Sequence, residues 1–200
     1  MKKFKKDNFV VIKKALPLDI AEFLFHYFML KREVAKKLRT ANLIDDREGL
    51  WGTWADPQVP NTYSHYSDAA METLLADMTP TMEKHTGLKL YPNYSYGRIY
   101  KYGDILAKHI DRPSCEISTT LHLGGDKWPI FLKSKRKTHK VNLNQGDMLI
   151  YKGVLLEHWR EPFEGKHHVQ VFLHYNNASK KTAIRFDGRE MLGLPASFRK

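Results

Sequence analysis

The chain has 200 residues and a formal net charge of +11, from 33 lysines and arginines against 22 aspartates and glutamates. Hydrophobic residues make up 42% of the sequence, which excludes an intrinsically disordered chain and is enough to bury the core of one domain. The single cysteine, Cys115, excludes an intramolecular disulfide and a thiolate-rich zinc site, so any metal must be held by histidine, aspartate or glutamate.

The N-terminal part is predicted to be mainly helical. The run FVVIKKALP predicts a short strand that ends at a proline, and the apolar residues of LDIAEFLFHYFMLKREVAKKLR recur at helical spacing. Asp19 is the candidate N-cap of that helix. A loop rich in Trp, Pro and Gly follows from Asp45 to Asn61, and whether it forms a lid is left open.

A second helix is predicted from a cap at Ser67 or Asp68 to Gly87, with an interruption near Pro80. After Gly87 come short β-prone runs separated by turn signals: YSYGRIYKYG, CEISTTLHLGG, WPIFLK, HKVNLNQGDMLIYKG and HHVQVFLHYN. We therefore expect a mainly β protein with N-terminal helices (α+β), in which the helices pack outside a jelly-roll barrel.

The chain shows no internal repeat and no low-complexity linker, and one domain is expected over residues 1–200. Within it we expect a helical support region at 1–90, a barrel core at 91–178 and a C-terminal extension at 179–200. No signal-peptide core or membrane-length apolar run is visible, so a cytoplasmic protein without membrane contact is expected.

His109 and Asp111 form the most informative pair in the sequence. Residues i and i+2 of an extended strand project from one face, so this pair could share a metal ion. The alternative is two polar side chains in a loop, since ten histidines make chance His-x-Asp spacings common. His158, in GDMLIYKGVLLEHWREPF, would supply a third ligand from a distant strand. Two imidazoles and one carboxylate are the ligand set of non-haem Fe(II) oxygenases.

The sequence resembles the Fe(II)/2-oxoglutarate-dependent oxygenases, particularly the prolyl-4-hydroxylase-like branch that phages and marine bacteria also encode. The resemblance is carried between Tyr94 and Asn176 by YGDILAKHID, ISTTLHL, NQGDMLIY and EHWREPFEGKHHVQVFLHY. It implies a double-stranded β-helix (a jelly-roll, cupin-like barrel) and assigns His109, Asp111 and His158 as catalytic iron ligands.

The chain departs from the family where an Arg or Lys on the last barrel strand holds the distal carboxylate of 2-oxoglutarate. His168 stands near that place, and strand alternation would turn His168 and Gln170 to the barrel interior. Three candidates follow: Arg160, Lys166 and His168. Arg160 and Lys166 rank above His168, because a neutral imidazole is a poor permanent counter-ion. The resemblance also suggests that Tyr102 touches the cosubstrate, with a core aromatic role as the alternative.

The implied activity is a dioxygenase reaction that uses Fe(II), 2-oxoglutarate and O₂, with ascorbate as a supporting reductant, and releases succinate and CO₂. A peptide or protein side chain, proline first, is the expected substrate. Two alternatives stay open, an oxidative demethylase of alkylated nucleic acid and a non-catalytic cupin-like module that binds a metal or a small acid. The +11 charge permits nucleic acid without favouring it, and the sequence sets no oligomeric state.

Overall fold

The computed structural model describes residues 2–45 and 49–200, and within these ranges the chain forms three α-helices and ten β-strands. The helices are α1 (Lys2–Asp7), α2 (Leu18–Thr40) and α3 (Ala69–Thr86). The strands are β1 (Phe9–Ile12), β2 (Tyr63–Tyr66), β3 (Leu90–Lys101), β4 (Leu106–His109), β5 (Ile117–Gly125), β6 (Ile130–Ser134), β7 (Lys137–Val141), β8 (Met148–Tyr151), β9 (His158–Arg160) and β10 (His167–Asn177). Short 3-10 turns lie at Pro113–Cys115, Phe186–Gly188 and Ala196–Phe198.

Two antiparallel sheets build the barrel. The larger has the strand order β1-β8-β5-β10-β3-β2, and the smaller has the order β4-β9-β6-β7. From β3 to β10 the chain crosses repeatedly between the two sheets, which is the winding of a double-stranded β-helix. The predicted fold class, mainly β with N-terminal helices, is confirmed.

Helices α2 and α3 cover the outer face of the larger sheet. Alternate residues of β10, such as Val169 and Val171, are fully buried in a core that they share with apolar side chains of both helices. Helix α2 packs closely on β3: a Cβ atom added to Gly97 of β3 would lie 2.7 Å from the ring of Phe28 in α2. The expectation of helices packed outside a barrel is therefore confirmed.

The second predicted helix is confirmed at both ends but is not interrupted. Asp68 is the N-cap of α3 and accepts a hydrogen bond from the backbone N–H of Met71 (3.1 Å), and Gly87 ends the helix in the left-handed conformation. Pro80 lies inside α3, on its exposed side. Pro80 offers no N–H to the carbonyl of Ala76, but Ala76 is also exposed and water can hydrate that carbonyl.

Two expectations for the first 90 residues were wrong in detail. Asp19 lies in the first turn of α2, but Pro17 is the N-cap position and no side chain caps the helix. The region also adds two strands to the larger sheet, the predicted β1 on β8 and the unpredicted β2 on β3. Both occupy sheet edges, so the support region is not only helical. No helix among the described residues is long and apolar enough to cross a membrane.

The C-terminal extension is fixed to the barrel by a buried ion pair. Arg189 donates from Nη2 to Glu72 Oε1 of α3 (2.8 Å) and to the backbone carbonyl of Asn93 in β3 (2.8 Å). The side chains of Arg189 and Glu72 are 0% and 1% exposed. This anchor sets residues 179–200 beside β3 and the mouth of the barrel.

Candidate active site

The structure brings the three predicted metal ligands together. His109 ends β4, His158 begins β9, and the two are directly opposed in the β4–β9 ladder with ring centroids 4.2 Å apart. Asp111 Oδ1 lies 3.6 Å from His109 Nε2 and 3.5 Å from His158 Nε2. All three ligand atoms lie within 4.8 Å of one another.

Each of the three side chains uses one polar atom in a hydrogen bond outside the site. Its second nitrogen or oxygen is left to face the centre. Nδ1 of His109 lies 2.8 Å from the Ala107 carbonyl, and Nδ1 of His158 lies 2.8 Å from the Leu156 carbonyl. Each Nδ1 therefore carries the proton, and each Nε2 presents a lone pair. Ser118 Oγ donates to Asp111 Oδ2 (2.9 Å), which leaves Oδ1 for the centre. This donor set fits one divalent transition metal.

The protonation states also suit a metal. Burial, and then the neighbouring His158, lower the pKa of His109, which keeps its imidazole neutral. Burial alone would raise the pKa of the Asp111 carboxyl, but its polar contacts, the hydrogen bond from Ser118 among them, lower it below its usual value. Neutral imidazole and ionised carboxylate are the forms that coordinate metals.

Asp111, Cys115 and His174 form a second, overlapping group, whose ligand atoms also lie within 4.8 Å of one another. Burial raises the pKa of the Cys115 thiol to about 12, so sulfur stays protonated and contacts Tyr94 Oη at 2.9 Å. Burial lowers the pKa of His174 to about 4, and its Nδ1 lies 2.9 Å from Ser118 Oγ. His174 is thus linked to Asp111 through Ser118, whereas Cys115 is a buried thiol beside Tyr94.

A cavity of about 760 Å³ opens above the three ligands, between the two sheets. Aromatic rings form one wall, with Tyr66 and Tyr94 centroids 4.9 Å apart and Tyr94 and His174 centroids 4.5 Å apart. The lining residues come from both sheets, from the loop before β2 and from the C-terminal extension: Thr53, Ala55, Asp56, Pro57, Gln58, Tyr66, Tyr94, Tyr96, Arg98, Leu106, His109, Ile110, Asp111, Arg112, Cys115, Tyr151, His158, Phe172, His174 and Arg199.

The loop predicted between Asp45 and Asn61 reaches this cavity. Residues 46–48 of that loop lie outside the described residues. Farther along, Gln58 Nε2 lies 3.2 Å from His109 Nε2, the atom that would bind the metal. Asp56 forms an ion pair with Arg98, a residue of β3 that is 1% exposed and lines the cavity. The described part of the loop is therefore docked on the metal ligands.

Arg98 was missed by the sequence reading. It is opposite Gln170 in the β3–β10 ladder, and Gln170 had been expected to face the barrel interior. Strand alternation from Gln170 through this pairing would have placed Arg98 on the inner face, but the register of β3 against β10 is not visible in the sequence alone.

Arg160 lies in the barrel interior, 1% exposed. Its Nη1 donates to the Trp128 carbonyl and its Nη2 donates to Gln170 Oε1 (2.5 Å), and both acceptors are neutral. Among the described residues it forms no ion pair. Burial lowers its pKa to about 10, which leaves it a cation at neutral pH. A buried cation without a counter-ion costs free energy, and an anionic ligand would remove that cost.

Unpaired polar atoms around Arg160 point to the same conclusion. Four buried atoms have no hydrogen-bond partner among the described residues: Nε of Arg160, Nε2 of Gln170, Nδ1 of His122 and Oγ1 of Thr120. Gln170 is opposite His122 in the β10–β5 ladder, and Phe172 is opposite Thr120 two places along, so these side chains share the inner face. Native proteins leave few such groups unsatisfied, so this group fits a polar ligand.

The other cosubstrate candidates lie differently. His168 faces the interior, as strand alternation predicted, but burial lowers its pKa well below the usual range and leaves it neutral. Lys166 is exposed, and like Arg160 and His168 it is not among the residues that line the cavity. Tyr102 is 74% exposed, because β3 ends at Lys101 and the chain turns away from the barrel. The structure therefore corrects the expectation that Tyr102 touches the cosubstrate. Tyr100, which is fully buried and whose Oη lies 3.3 Å from Arg98 Nη1, occupies that inner face instead.

Comparison with known proteins identifies the fold. Neither a protein-family profile nor a curated protein sequence matches the chain. Among solved structures, a prolyl-4-hydroxylase from Pseudomonas putida matches with a TM-score of 0.64 at 13% identity, over 89% of this chain and 97% of that one. The chain has the fold of the 2-oxoglutarate- and iron-dependent oxygenases.

Two further structures show what this fold holds in other proteins. HygX from Streptomyces hygroscopicus, with nickel and 2-oxoglutarate bound, matches with a TM-score of 0.62 at 12% identity, over 100% of this chain and 92% of that one. A Trichoplax adhaerens prolyl hydroxylase in complex with a hypoxia inducible factor peptide fragment matches with a TM-score of 0.60 at 12% identity, over 88% of this chain and 86% of that one.

Proposed function

We propose that this protein is an Fe(II)- and 2-oxoglutarate-dependent dioxygenase that hydroxylates a peptide or protein side chain, proline in the first place. The observation that carries the proposal is the convergence of His109 Nε2, His158 Nε2 and Asp111 Oδ1 at one end of an open cavity. These residues would hold the iron. Bound iron would supply the oxidative chemistry that converts 2-oxoglutarate and O₂ to succinate and CO₂ while the substrate is hydroxylated.

Arg160 is our candidate for the residue that holds the distal carboxylate of 2-oxoglutarate. It is a buried guanidinium on β9, two residues beyond His158, and neutral acceptors surround it. A guanidinium binds a carboxylate through two parallel hydrogen bonds. Arg98 is the second guanidinium near the metal ligands, but Asp56 already neutralises it.

A peptide substrate suits the shape of the site. The cavity is open, about 760 Å³ in volume, and one of its walls is aromatic, which suits a proline ring and the backbone around it. The prolyl-4-hydroxylase from Pseudomonas putida and the peptide-bound hydroxylase from Trichoplax adhaerens share the fold.

Demethylation of alkylated nucleic acid is the second candidate, which the net charge of +11 permits. Binding to a single-stranded oligonucleotide that falls steeply with added salt, together with removal of a methyl group, would favour this candidate over the peptide. The third reading, a non-catalytic cupin-like module, predicts no turnover of 2-oxoglutarate.

The enzyme proposal is tested by succinate formation from 2-oxoglutarate with Fe(II) and ascorbate, with and without a proline-containing peptide. We expect turnover that depends on iron and is abolished in Asp111→Ala. Turnover by that variant at the rate of the parent would contradict the ligand assignment. No turnover by the parent under any of these conditions would favour the non-catalytic module.

The cosubstrate assignment is tested by calorimetric binding of N-oxalylglycine, an inert 2-oxoglutarate mimic, to the Mn(II)-loaded protein. Arg160→Gln should weaken binding by at least about tenfold, since a hydrogen-bonded charge is lost. Lys166→Gln removes an exposed cation from the same region and should bind as the parent does. Loss of binding in Arg98→Gln but not in Arg160→Gln would move the carboxylate to Arg98.

A further inference from the structure

Two arginines at the mouth of the cavity share one carboxylate. Nη2 of Arg112 lies 2.8 Å from Asp187 Oδ2, and Nη2 of Arg199 lies 2.6 Å from the same oxygen. The hydroxyl of Tyr66 also donates to that oxygen (2.9 Å). One negative charge therefore faces two positive charges, and this cluster keeps a net charge of +1.

The surplus charge faces the cavity. Asp187 is only 5% exposed, whereas the side chains of Arg112 and Arg199 are 46% and 37% exposed, and both arginines line the cavity. Asp56, another carboxylate that lines the cavity, forms its ion pair with Arg98 and does not offset this surplus.

Aromatic faces hold both guanidinium groups in place. Arg112 lies over the Tyr94 ring at 4.8 Å, and Arg199 lies over the Tyr66 ring at 4.7 Å. The two rings are themselves neighbours, with centroids 4.9 Å apart. Stacking on a ring uses the face of a guanidinium and leaves donors on its edge, which match the geometry of a carboxylate.

The pair lies next to the reaction centre. Arg112 directly follows the metal ligand Asp111 in the chain, and its Nε lies 3.3 Å from Tyr94 Oη. Arg199 comes from the C-terminal extension, which the buried Arg189 and Glu72 pair fixes to the barrel. A group bound by both arginines would therefore lie within a few residues of the one that reacts.

We propose that Arg112 and Arg199 bind a carboxylate of the peptide substrate, from an aspartate or glutamate side chain close to the hydroxylated residue. The substrate class is then an acidic peptide, and the C-terminal extension is a determinant of specificity. This inference rests on the proposed peptide hydroxylase function. It gives Asp187 a positioning role, since Asp187 holds both guanidinium groups without cancelling their charge.

The test uses the full chain loaded with Mn(II) and N-oxalylglycine and a library of C-terminally amidated nonapeptides with a fixed central proline. We expect aspartate and glutamate to be enriched among the peptides that bind. Fluorescence anisotropy then compares the best acidic peptide with its asparagine and glutamine counterpart, and the acidic one should bind at least about tenfold tighter, as expected for charge-assisted hydrogen bonds.

Arg199→Gln should remove most of that difference and leave the affinity for the neutral peptide within about twofold, because only the charge-assisted bonds are lost. Asp187 keeps Arg112 as a partner in this variant, so the fold should persist, and its melting temperature checks this. Arg199→Lys should restore part of the preference. Arg185→Gln is the matched control, since Arg185 belongs to the same extension, is exposed and lies over Tyr91 outside the cavity.

Equal binding of acidic and neutral peptides, or an unchanged preference in both Arg112→Gln and Arg199→Gln, would overturn the inference and leave the enzyme proposal intact. If no peptide bound, the inference and the peptide substrate would fail together, and the succinate assay would show separately whether the protein is an oxygenase. If the same peptides bound only when made with a free C-terminus, the side-chain assignment would be overturned and the carboxylate would be that of the chain end. Salt-sensitive binding of an oligonucleotide that needs Arg199 would overturn the peptide assignment.

Discussion

His109 and His158 oppose each other in the β4–β9 ladder, and each holds its Nδ1 atom 2.8 Å from the carbonyl of the residue two places before it. The two imidazoles thus come from different strands, and the same kind of local hydrogen bond orients each of them. Their Nε2 atoms converge on Asp111 Oδ1, so β4 and β9 bring the candidate ligand atoms to one point.

Asp111→Asn should weaken Mn(II) binding by at least about 100-fold. Even the mutation of a residue that only hydrogen-bonds to a metal ligand lowers metal affinity by about 10- to 100-fold. The amide keeps the shape of the side chain but loses the charge that binds the cation. Electron paramagnetic resonance of free Mn(II) measures the loss. Asp126→Asn is the control, because Asp126 accepts from the backbone of Lys166 and lies outside the ligand set. Equal losses in the two variants would contradict the assignment.

Gln58→Ala should strengthen Mn(II) binding by about 2- to 10-fold, the equivalent of one net hydrogen bond. The Gln58 amide lies 3.2 Å from His109 Nε2, and the metal must displace it. Gln145→Ala, which removes an amide that donates to the Leu123 carbonyl away from the cavity, should leave the affinity unchanged. Weaker metal binding in Gln58→Ala would instead show that this side chain helps to hold the metal.

Glu72→Gln should reduce the free energy of unfolding by about 3 to 5 kcal/mol, the cost of breaking a buried ion pair from one side. The change leaves the guanidinium of Arg189 buried without a counter-ion. Urea denaturation measures it. Glu33→Gln, in an ion pair whose carboxylate is 56% exposed, should cost less than about 1 kcal/mol. Similar losses in both variants would mean that the C-terminal extension does not depend on this anchor.

Stability should fall at acid pH because of two stacked histidines, His122 and His168, whose ring centroids are 4.5 Å apart inside the barrel. Burial lowers the pKa of both. Below pH about 6.5, the ordinary histidine value, the unfolded chain takes up protons that the folded barrel does not bind. Above about pH 6.5 the two neutral histidines therefore make their full contribution to the free energy of unfolding, and this contribution is lost as pH falls.

Urea denaturation between pH 8 and pH 5 measures the slope of the free energy of unfolding against pH. His168→Asn should reduce this slope by up to about 1.4 kcal/mol per pH unit, the value for one proton. His26→Gln removes an exposed histidine and should keep the slope of the parent. An undiminished slope in His168→Asn would show that this histidine is not buried as a neutral group.

The His109 and Asp111 pair and the strand pattern of the barrel are local features of the sequence, and the resemblance to the oxygenases added His158 to the group that the structure brings together. Strand alternation placed His168 and Gln170 on the inner face of β10, and the structure agrees. The resemblance suggested a cosubstrate contact for Tyr102, but this residue is 74% exposed because β3 ends one residue earlier, before a turn in which Gly103 adopts a positive φ of 82°. Element boundaries depend on tertiary contacts, such as the bond from the Gly103 N–H to the Phe163 carbonyl.

The rest of the pocket depends on contacts between segments far apart in the chain. Asp56 meets Arg98 across 42 positions, and Arg112 meets Asp187 across 75. Loops and extensions carry no periodic pattern, so the sequence does not show which residues they contact. These contacts depend on the folded barrel. For the same reason the sequence ranked Arg160 level with Lys166, both above His168, and the burial and neutral acceptors of Arg160 separate the two.

The most direct test of the account is a crystal structure with Mn(II) and N-oxalylglycine, with anomalous scattering to locate the metal. The account predicts one metal peak coordinated by His109, Asp111 and His158, with the distal carboxylate of the mimic on Arg160. A metal bound elsewhere, or a mimic that leaves the Arg160 guanidinium without an anionic partner, would contradict it.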